Sequence, residues 1–222
     1  MSDMIKEYDI IICTTAVNRS EFHNEIFKKY MKFLDGLKCK WIINIDKVVN
    51  EPLYVTINNF KNICNSELID LKILPNTIGG TKHIFYSSAM RLAYDATDYN
   101  SKYGVLWLED DWNCIADFKL KDILTDDIPS RYIQLSKREK CISFHPGIFS
   151  WDLFKKWFID QISDENNPYY NQNPERACCC TSEMRLDRYT HLMYNCFDGN
   201  PDQGRTWSKN NGMDRTFRKN AE

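Results

Sequence analysis

The sequence predicts a single α/β domain, a mixed, mostly parallel sheet flanked by helices, and three observations lead there. Tyr8-Asp-Ile-Ile-Ile-Cys13 and Lys40-Trp-Ile-Ile-Asn-Ile45 are short β-branched runs, and an amphipathic stretch separates them. That order is a βαβ unit with a right-handed crossover and parallel strands. Gly104-Val-Leu-Trp-Leu108 is a third apolar run of strand length, and it leads directly into Glu109-Asp110-Asp111. Carboxylates at the exit of a buried strand lie where open α/β sheets bind ligands.

The elements follow in order. The first strand opens into a polar loop, Thr14-Thr-Ala-Val-Asn-Arg19. Ser20 caps a helix with Phe22, Ile26, Tyr30 and Leu34 on one face, and Gly36 stops it. The second strand ends at Asp46. Phe60 to Leu71 reads as helix and Lys72-Ile-Leu74 as a short strand, with Pro75 and Gly79-Gly80 marking a loop. A helix from Thr81 to Ala96, with Ile84, Ser88, Leu92 and Ala96 on one face, delivers the chain to the strand before the acidic triplet. Beyond it, Arg131–Leu135 and Lys140–Phe144 are expected strands that include an antiparallel edge. His145-Pro-Gly147 is a turn, and Ser150 caps a helix from Trp151 to Ile159. Ser163 to Asn173 is a polar loop, and Thr181-Ser-Glu183 starts a last helix carrying Leu186, Tyr189 and Met193. His83 and His191 fall within helices as structural residues, and the tail from Asp198 is rich in Gly and Asn. No repeat or linker divides the 222 residues. Residues 8–112 form one half of the domain, 113–207 the other and 208–222 a tail.

A formal charge of −2 argues against a nucleic-acid binder, which would carry a basic face. No window is apolar for long enough to span a bilayer, and the charged start does not resemble a secretory signal. A cytoplasmic, reducing compartment is therefore expected for the nine cysteines. They are scattered without a CxxC pair, which argues against a zinc site.

Three adjacent carboxylates repel one another and need a compensating charge. A divalent cation supplies it, since hard oxygen ligands suit Mg²⁺ or Mn²⁺. Glu109-Asp110-Asp111 at a strand end, in a chain that begins βαβ, resembles the DxD-type motif of GT-A glycosyltransferases, in particular its Glu-Asp-Asp variant. The chain is also similar in size to compact virus-encoded members. The resemblance covers about residues 8 to 207, with the triplet as its one sharp motif. It implies a Rossmann-like, nucleotide-binding sheet and transfer of a sugar, by inversion, from a UDP-sugar to a hydroxyl of a glycan or glycoprotein. The cation neutralises the departing diphosphate.

By the same resemblance Asp111 is the direct metal ligand, with Asp110 and Glu109 near the ribose and the metal's water shell. Thr14 and Arg19 stand at the end of the first strand to meet base or diphosphate; as plain structural residues they would be a helix-entry hydroxyl and a surface ion-pair partner. Asp46 is placed to accept from uracil N3–H. His145 either joins the metal shell or serves the turn or the acceptor. An inverting transferase needs a general base, and Glu183, near a helix start, is the first candidate, with Asp187 one turn on as the second. Arg205, in Asp202-Gln-Gly-Arg-Thr-Trp207, would close over the leaving diphosphate. Two other readings compete. A sugar nucleotidyltransferase usually has a glycine-rich loop after the first strand, which Thr14–Arg19 lacks. A non-catalytic binding domain of the same fold would fail to bind UDP with Mn²⁺.

Overall fold

The computed structural model describes residues 7–77, 82–124, 131–136, 145–179, 190–198 and 210. In chain order these form β1 (Glu7–Tyr8), β2 (Ile10–Val17), α1 (Ser20–Phe33), β3 (Cys39–Asp46), α2 (Leu53–Ile63), β4 (Ile69–Asn76) and α3 (Lys82–Ala96). Then come β5 (Asn100–Ser101), β6 (Val105–Glu109), β7 (Asn113–Cys114), a 3₁₀ turn at Leu120–Asp122, β8 (Arg131–Ser136) and β9 (Gly147–Phe149). Helix α4 (Trp151–Phe154) continues through a π-turn at Lys155–Ile159 into α5 (Asp160–Ser163), followed by α6 (Pro174–Cys179) and β10 (Thr190–Asp198).

Eight strands pair in the order β4-β3-β2-β6-β9-β8-β10-β7, while β1 and β5 form a separate small ribbon. The neighbours β4, β3, β2 and β6 are all parallel. From β2 the chain winds outward through β3 to β4, then returns to lay β6 on the other side of β2. The gap beyond the carboxyl ends of β2 and β6 is therefore the topological switch point, where such sheets bind ligands.

Side-chain alternation splits the core between the two faces. Ile10, Ile12 and Ala16 of β2, with Leu106 and Leu108 of β6, face the layer holding Phe27 and Tyr30 of α1 and Phe60 of α2. Ile11 and Cys13, with Val105 and Trp107, face Tyr86 and Leu92 of α3 and Trp157 beyond α4. A strand buried on both faces reads as a continuous apolar run, which is why these strands are legible in the sequence. Helix α1 buries Phe22, Ile26, Phe27, Tyr30 and Phe33. Each such side chain contributes about 1.5–3 kcal/mol of transfer free energy.

Several expectations need correction. The first strand runs on to Val17, so Thr14 to Val17 are sheet and the loop shrinks to Asn18 and Arg19. Arg19 rather than Ser20 is the N-cap of α1 and makes no side-chain cap. Glu51 does that work from a distance, accepting from the Ser20 backbone N–H at 2.9 Å and its hydroxyl at 2.7 Å. Helix α2 ends at Ile63, and Ile69–Leu71 belong to an eight-residue strand. Strand β9, with Gly147 as its first residue, runs antiparallel inside the sheet between β6 and β8, and the antiparallel edge is the short β7 beside β10. Met193 and His191 lie on strand β10, not on a helix. Lys140–Phe144, Gly79-Gly80, the helix start at Thr181 and most of the tail lie outside the described residues.

Cys13, Cys39, Cys64, Cys114, Cys178 and Cys196 are free and buried. Among the described residues no helix is long and apolar enough to cross a membrane. Gly104 enters β6 at φ +91°, and a Cβ there would stand 2.1 Å from the Phe149 carbonyl oxygen of the neighbouring β9 turn. We predict that Gly104→Ala lowers unfolding stability by about 3 kcal/mol, measured by urea denaturation. A change under about 0.5 kcal/mol would show that this approach is not tight.

Candidate active site at the sheet switch point

Asp110 is the most constrained residue of the triplet. Its backbone N–H donates to the Thr15 carbonyl across the β2–β6 gap at 3.1 Å. Its carboxylate, buried at 5% exposure of the residue, turns inward and is surrounded by donors. Arg19 clamps it bidentately, Nη2 to Oδ1 at 2.6 Å and Nε to Oδ2 at 3.2 Å. Val17 N–H donates to Oδ2 at 3.0 Å, and His23 Nε2 lies 2.8 Å from the same oxygen. Although burial pushes its pKa up, the Arg19 charge and these bonds win and hold it well below the usual carboxylate range. The guanidinium also lies over the Phe22 ring at 4.4 Å.

Burial lowers the pKa of His23 from its ordinary 6.5, against the pull of Asp110. A neutral imidazole with Nε2 protonated donates to the carboxylate. His23 stacks on Phe60 at 4.6 Å, so the same ring joins α1, α2 and the acidic turn. Tyr30 adds a second tie from α1, its hydroxyl donating to the carbonyls of Glu109 at 3.0 Å and Trp112 at 2.5 Å.

Asp111 is less buried than Asp110 and pairs with the same guanidinium. Its side chain is 16% exposed, with Oδ2 3.6 Å from Arg19 Nη2. Glu109 is partly exposed and accepts from Trp112 Nε1–H at 2.8 Å. His145 lies against Trp112, ring centroids 4.9 Å apart, which brings the expected turn to the triplet.

Asp46, at the end of β3 beside Val17 of β2, completes the crevice. Its Oδ1 accepts three hydrogen bonds, from Ser88 Oγ at 2.8 Å, Asn76 Nδ2 at 2.9 Å and Asn44 Nδ2 at 3.0 Å. Oδ2 is buried and has no hydrogen-bond partner among the described residues. Burial raises its pKa, opposed by those three bonds and reinforced by the nearby Asp110 charge. A buried acceptor without a partner is costly, and the second carboxylate oxygen of Asp46 can accept an incoming N–H or O–H.

Thr14 sits in the middle of β2, fully buried, its hydroxyl accepting from Trp41 Nε1–H at 2.9 Å. It faces the core instead of the crevice because the strand extends three residues past it. Arg19 and Asp110, expected at the diphosphate and the ribose, are engaged with each other. Glu183, Asp187 and Arg205 lie outside the described residues. His23 was not anticipated. A histidine on the apolar face of α1, four residues after Arg19, is the signal that could have found it, since such a ring needs a buried acid.

The donors at Asp111 fit a hard divalent cation: a carboxylate, partly exposed, at the mouth of a ligand crevice. Among the described residues no three His, Cys, Asp or Glu side chains converge on one point. A cation there would rest on Asp111 and on oxygens brought by its ligand.

The parallel half-sheet wound about one switch point, extended by a mixed second half and with helices on both faces, is the GT-A-like glycosyltransferase fold. Neither a family model nor a curated protein matches the sequence. Solved structures do: a mannosyltransferase from Pyrobaculum calidifontis in complex with GDP-Man and Mn²⁺ is similar over 91% of this chain, with 10% identity and a TM-score of 0.56. This chain spans 60% of that enzyme. The PaToxG glycosyltransferase matches over 77% of this chain and 67% of its own, at 11% identity and a TM-score of 0.43.

Two outcomes are expected. Asp110→Asn removes the close, bidentate partner of the buried Arg19, leaving only Asp111 at 3.6 Å, and should cost about 3 kcal/mol in chemical denaturation. Because burial holds the folded pKa of His23 below 6.5, the unfolded chain takes up that proton first as pH falls. Stability from this site is therefore complete above about pH 6.5 and declines below it. His23→Gln, which can still donate to Asp110, should flatten the melting temperature between pH 7.5 and pH 5 (conditions set by the roughly 6.5 reference value). An unchanged slope would remove His23 as its source.

Proposed function

We propose that this chain is a metal-dependent glycosyltransferase of the hexosyltransferase type. It moves a sugar from a nucleotide-sugar donor, taken as a UDP-sugar, to a hydroxyl acceptor with inversion. The single observation that carries the reading is the crevice itself. At one switch point Arg19 clamps the buried Asp110 carboxylate, the neighbouring Asp111 carboxylate reaches the crevice mouth partly exposed, and Asp46 has one buried oxygen that no described residue bonds.

Each residue then has a distinct task. Asp46 Oδ2 accepts from the base, with uracil N3–H as the expected donor, and its three hydrogen bonds fix the carboxylate's orientation. Asp111 and, if the turn closes, His145 hold the cation, which when bound would neutralise the diphosphate as it leaves. Glu109, oriented by Trp112, faces the ribose or the metal's water shell. Arg19 and Asp110 act as positioning residues. They fix the turn that carries Asp111, and the Asp110 charge is cancelled where it would otherwise repel phosphate. Glu183, with Asp187 second, would take the acceptor proton, and Arg205 would meet the diphosphate.

Thermal shift across UDP-, GDP- and CMP-sugars, with and without Mn²⁺, tests this. UDP-sugars should stabilise only with the metal, and Asp111→Ala should abolish the metal-dependent part. Stabilisation by GDP-sugars alone would reassign the base, and no shift with any nucleotide would remove the transferase reading. Asp46→Asn separates folding from binding. A group with a raised folded pKa loses stability as pH rises through its titration. The variant should therefore melt at or above the wild-type temperature at neutral pH, yet lose most of its nucleotide-induced shift.

A further inference from the structure

Strand β4 ends the sheet, and among the described residues no strand pairs with its outer edge. The direction of its backbone groups follows from two hydrogen bonds to β3: Cys39 N–H to the Leu68 carbonyl, and Lys47 N–H to the Asn76 carbonyl. Even-numbered residues of this strand therefore turn their N–H and C=O groups inward, and odd-numbered residues turn theirs outward. The outward Ile69 N–H is taken by the Ser66 carbonyl, and the Pro75 carbonyl accepts from Arg91. This leaves both backbone groups of Leu71 and Ile73 and the carbonyl of Ile69 presented along the edge.

The side chains are as ordered as the backbone. Ile69, Leu71 and Ile73 lie on the α2 side, half-buried against the core. With Ile57 and Lys61 of α2 they line an apolar groove of about 400 Å³ running along the edge. Asp70 and Lys72 lie on the opposite face. Asp70 binds Lys40 at 2.9 Å and Lys72 binds Asp95 at 2.5 Å, while both keep over a third of their side chains exposed.

We propose that this edge joins a second copy of the chain, two β4 strands pairing antiparallel about a two-fold axis at Leu71. Outward-facing groups meet in an antiparallel pair only when odd residues stand opposite odd residues, which leaves a few registers. Centring on Lys72 sets lysine against lysine, and centring on Asp70 sets aspartate against aspartate. Centring on Ile73 leaves Lys72 opposite Leu74. Only the Leu71 register places each Asp70 opposite the other copy's Lys72, in the pair type where side chains approach closest. In that register Leu71 exchanges two backbone hydrogen bonds with its own copy, and each Ile73 N–H meets the other Ile69 carbonyl. Ile69, Leu71 and Ile73 then form a continuous apolar ladder that closes both grooves. The contact is isologous, so it closes as a dimer. The pairing uses only the outward backbone and side chains of β4 from Ile69 to Ile73, so the dimer does not depend on the proposed activity.

Sedimentation velocity on the full chain across the micromolar range, with residue-resolved amide hydrogen exchange on the same samples, tests the proposal. The wild type should shift from monomer to dimer with concentration, and the Leu71 and Ile73 amides should gain at least about tenfold protection in step. Ile73→Pro removes an outward donor that no described residue uses, at the same parity as the natural Pro75. It should stay monomeric with the wild-type circular dichroism spectrum. A wild type that is monomeric throughout would overturn the proposal. So would a dimer whose Leu71 and Ile73 amides exchange freely, or a folded Ile73→Pro variant that still dimerises.

Discussion

A single buried carboxylate organises the molecule. Asp110 leaves the end of β6 and turns inward, and four donor atoms converge on it from residues 17, 19 and 23. An isolated charge in that position would be prohibitive, and so would an unpaired Arg19. Together they are mutually neutralising, with geometry close enough to keep the acid ionised. Through them the end of β2, the start of α1 and the acidic turn become one unit, and the Tyr30 and His23 contacts extend it to Trp112 and α2. The crevice has fixed walls because these four elements cannot move apart without exposing a bare charge to an apolar interior.

Two buried acids a strand apart are treated in opposite ways. Asp110 has every oxygen satisfied and a depressed pKa, as a structural ion pair requires. Asp46 has one oxygen held by three donors, the other without any among the described residues, and a raised pKa. Folding alone gives no reason to keep an open carboxylate oxygen out of water, whereas recognition of a donor group does. Asp111, next to Asp110 in the chain, is less buried and lies 3.6 Å from the same Arg19 guanidinium. The triplet thus divides into a fully buried acid, a partly exposed one at Asp111 and a flanking Glu109 held by Trp112.

Much of the parallel half-sheet was legible because strands buried on both faces leave unbroken apolar runs, as at Ile10–Cys13 and Val105–Leu108. Helix α1 was equally plain from Phe22, Ile26 and Tyr30, with Gly36 at φ +84° ending it as expected. Helix α2 was misplaced because Val55, Thr56, Ile57, Asn58 and Asn59 are weak helix formers; packing through Thr56 and Phe60 holds them helical. Strand β4 was cut short because Asp70 and Lys72 interrupt its apolar pattern, which is how a half-exposed edge strand reads. Met193 fell at helical spacing from Tyr189 by coincidence and belongs to a strand. At the site, the position of the acidic triplet and of Asp46 was visible, but their orientation was not. Which of three adjacent carboxylates turns inward depends on Arg19 and His23, some ninety residues away in the chain, and no local pattern encodes that.

The most direct measurement is a double-mutant cycle between Arg19 and Asp110, using Arg19→Met and Asp110→Asn, read both as unfolding free energy and as affinity for UDP with Mn²⁺. If the pair organises the crevice, each single variant loses stability and affinity. The double variant then loses far less than their sum, a coupling of about 2–3 kcal/mol for a buried contacting pair. Additive losses, or single variants that bind the nucleotide as tightly as the wild type, would contradict the account.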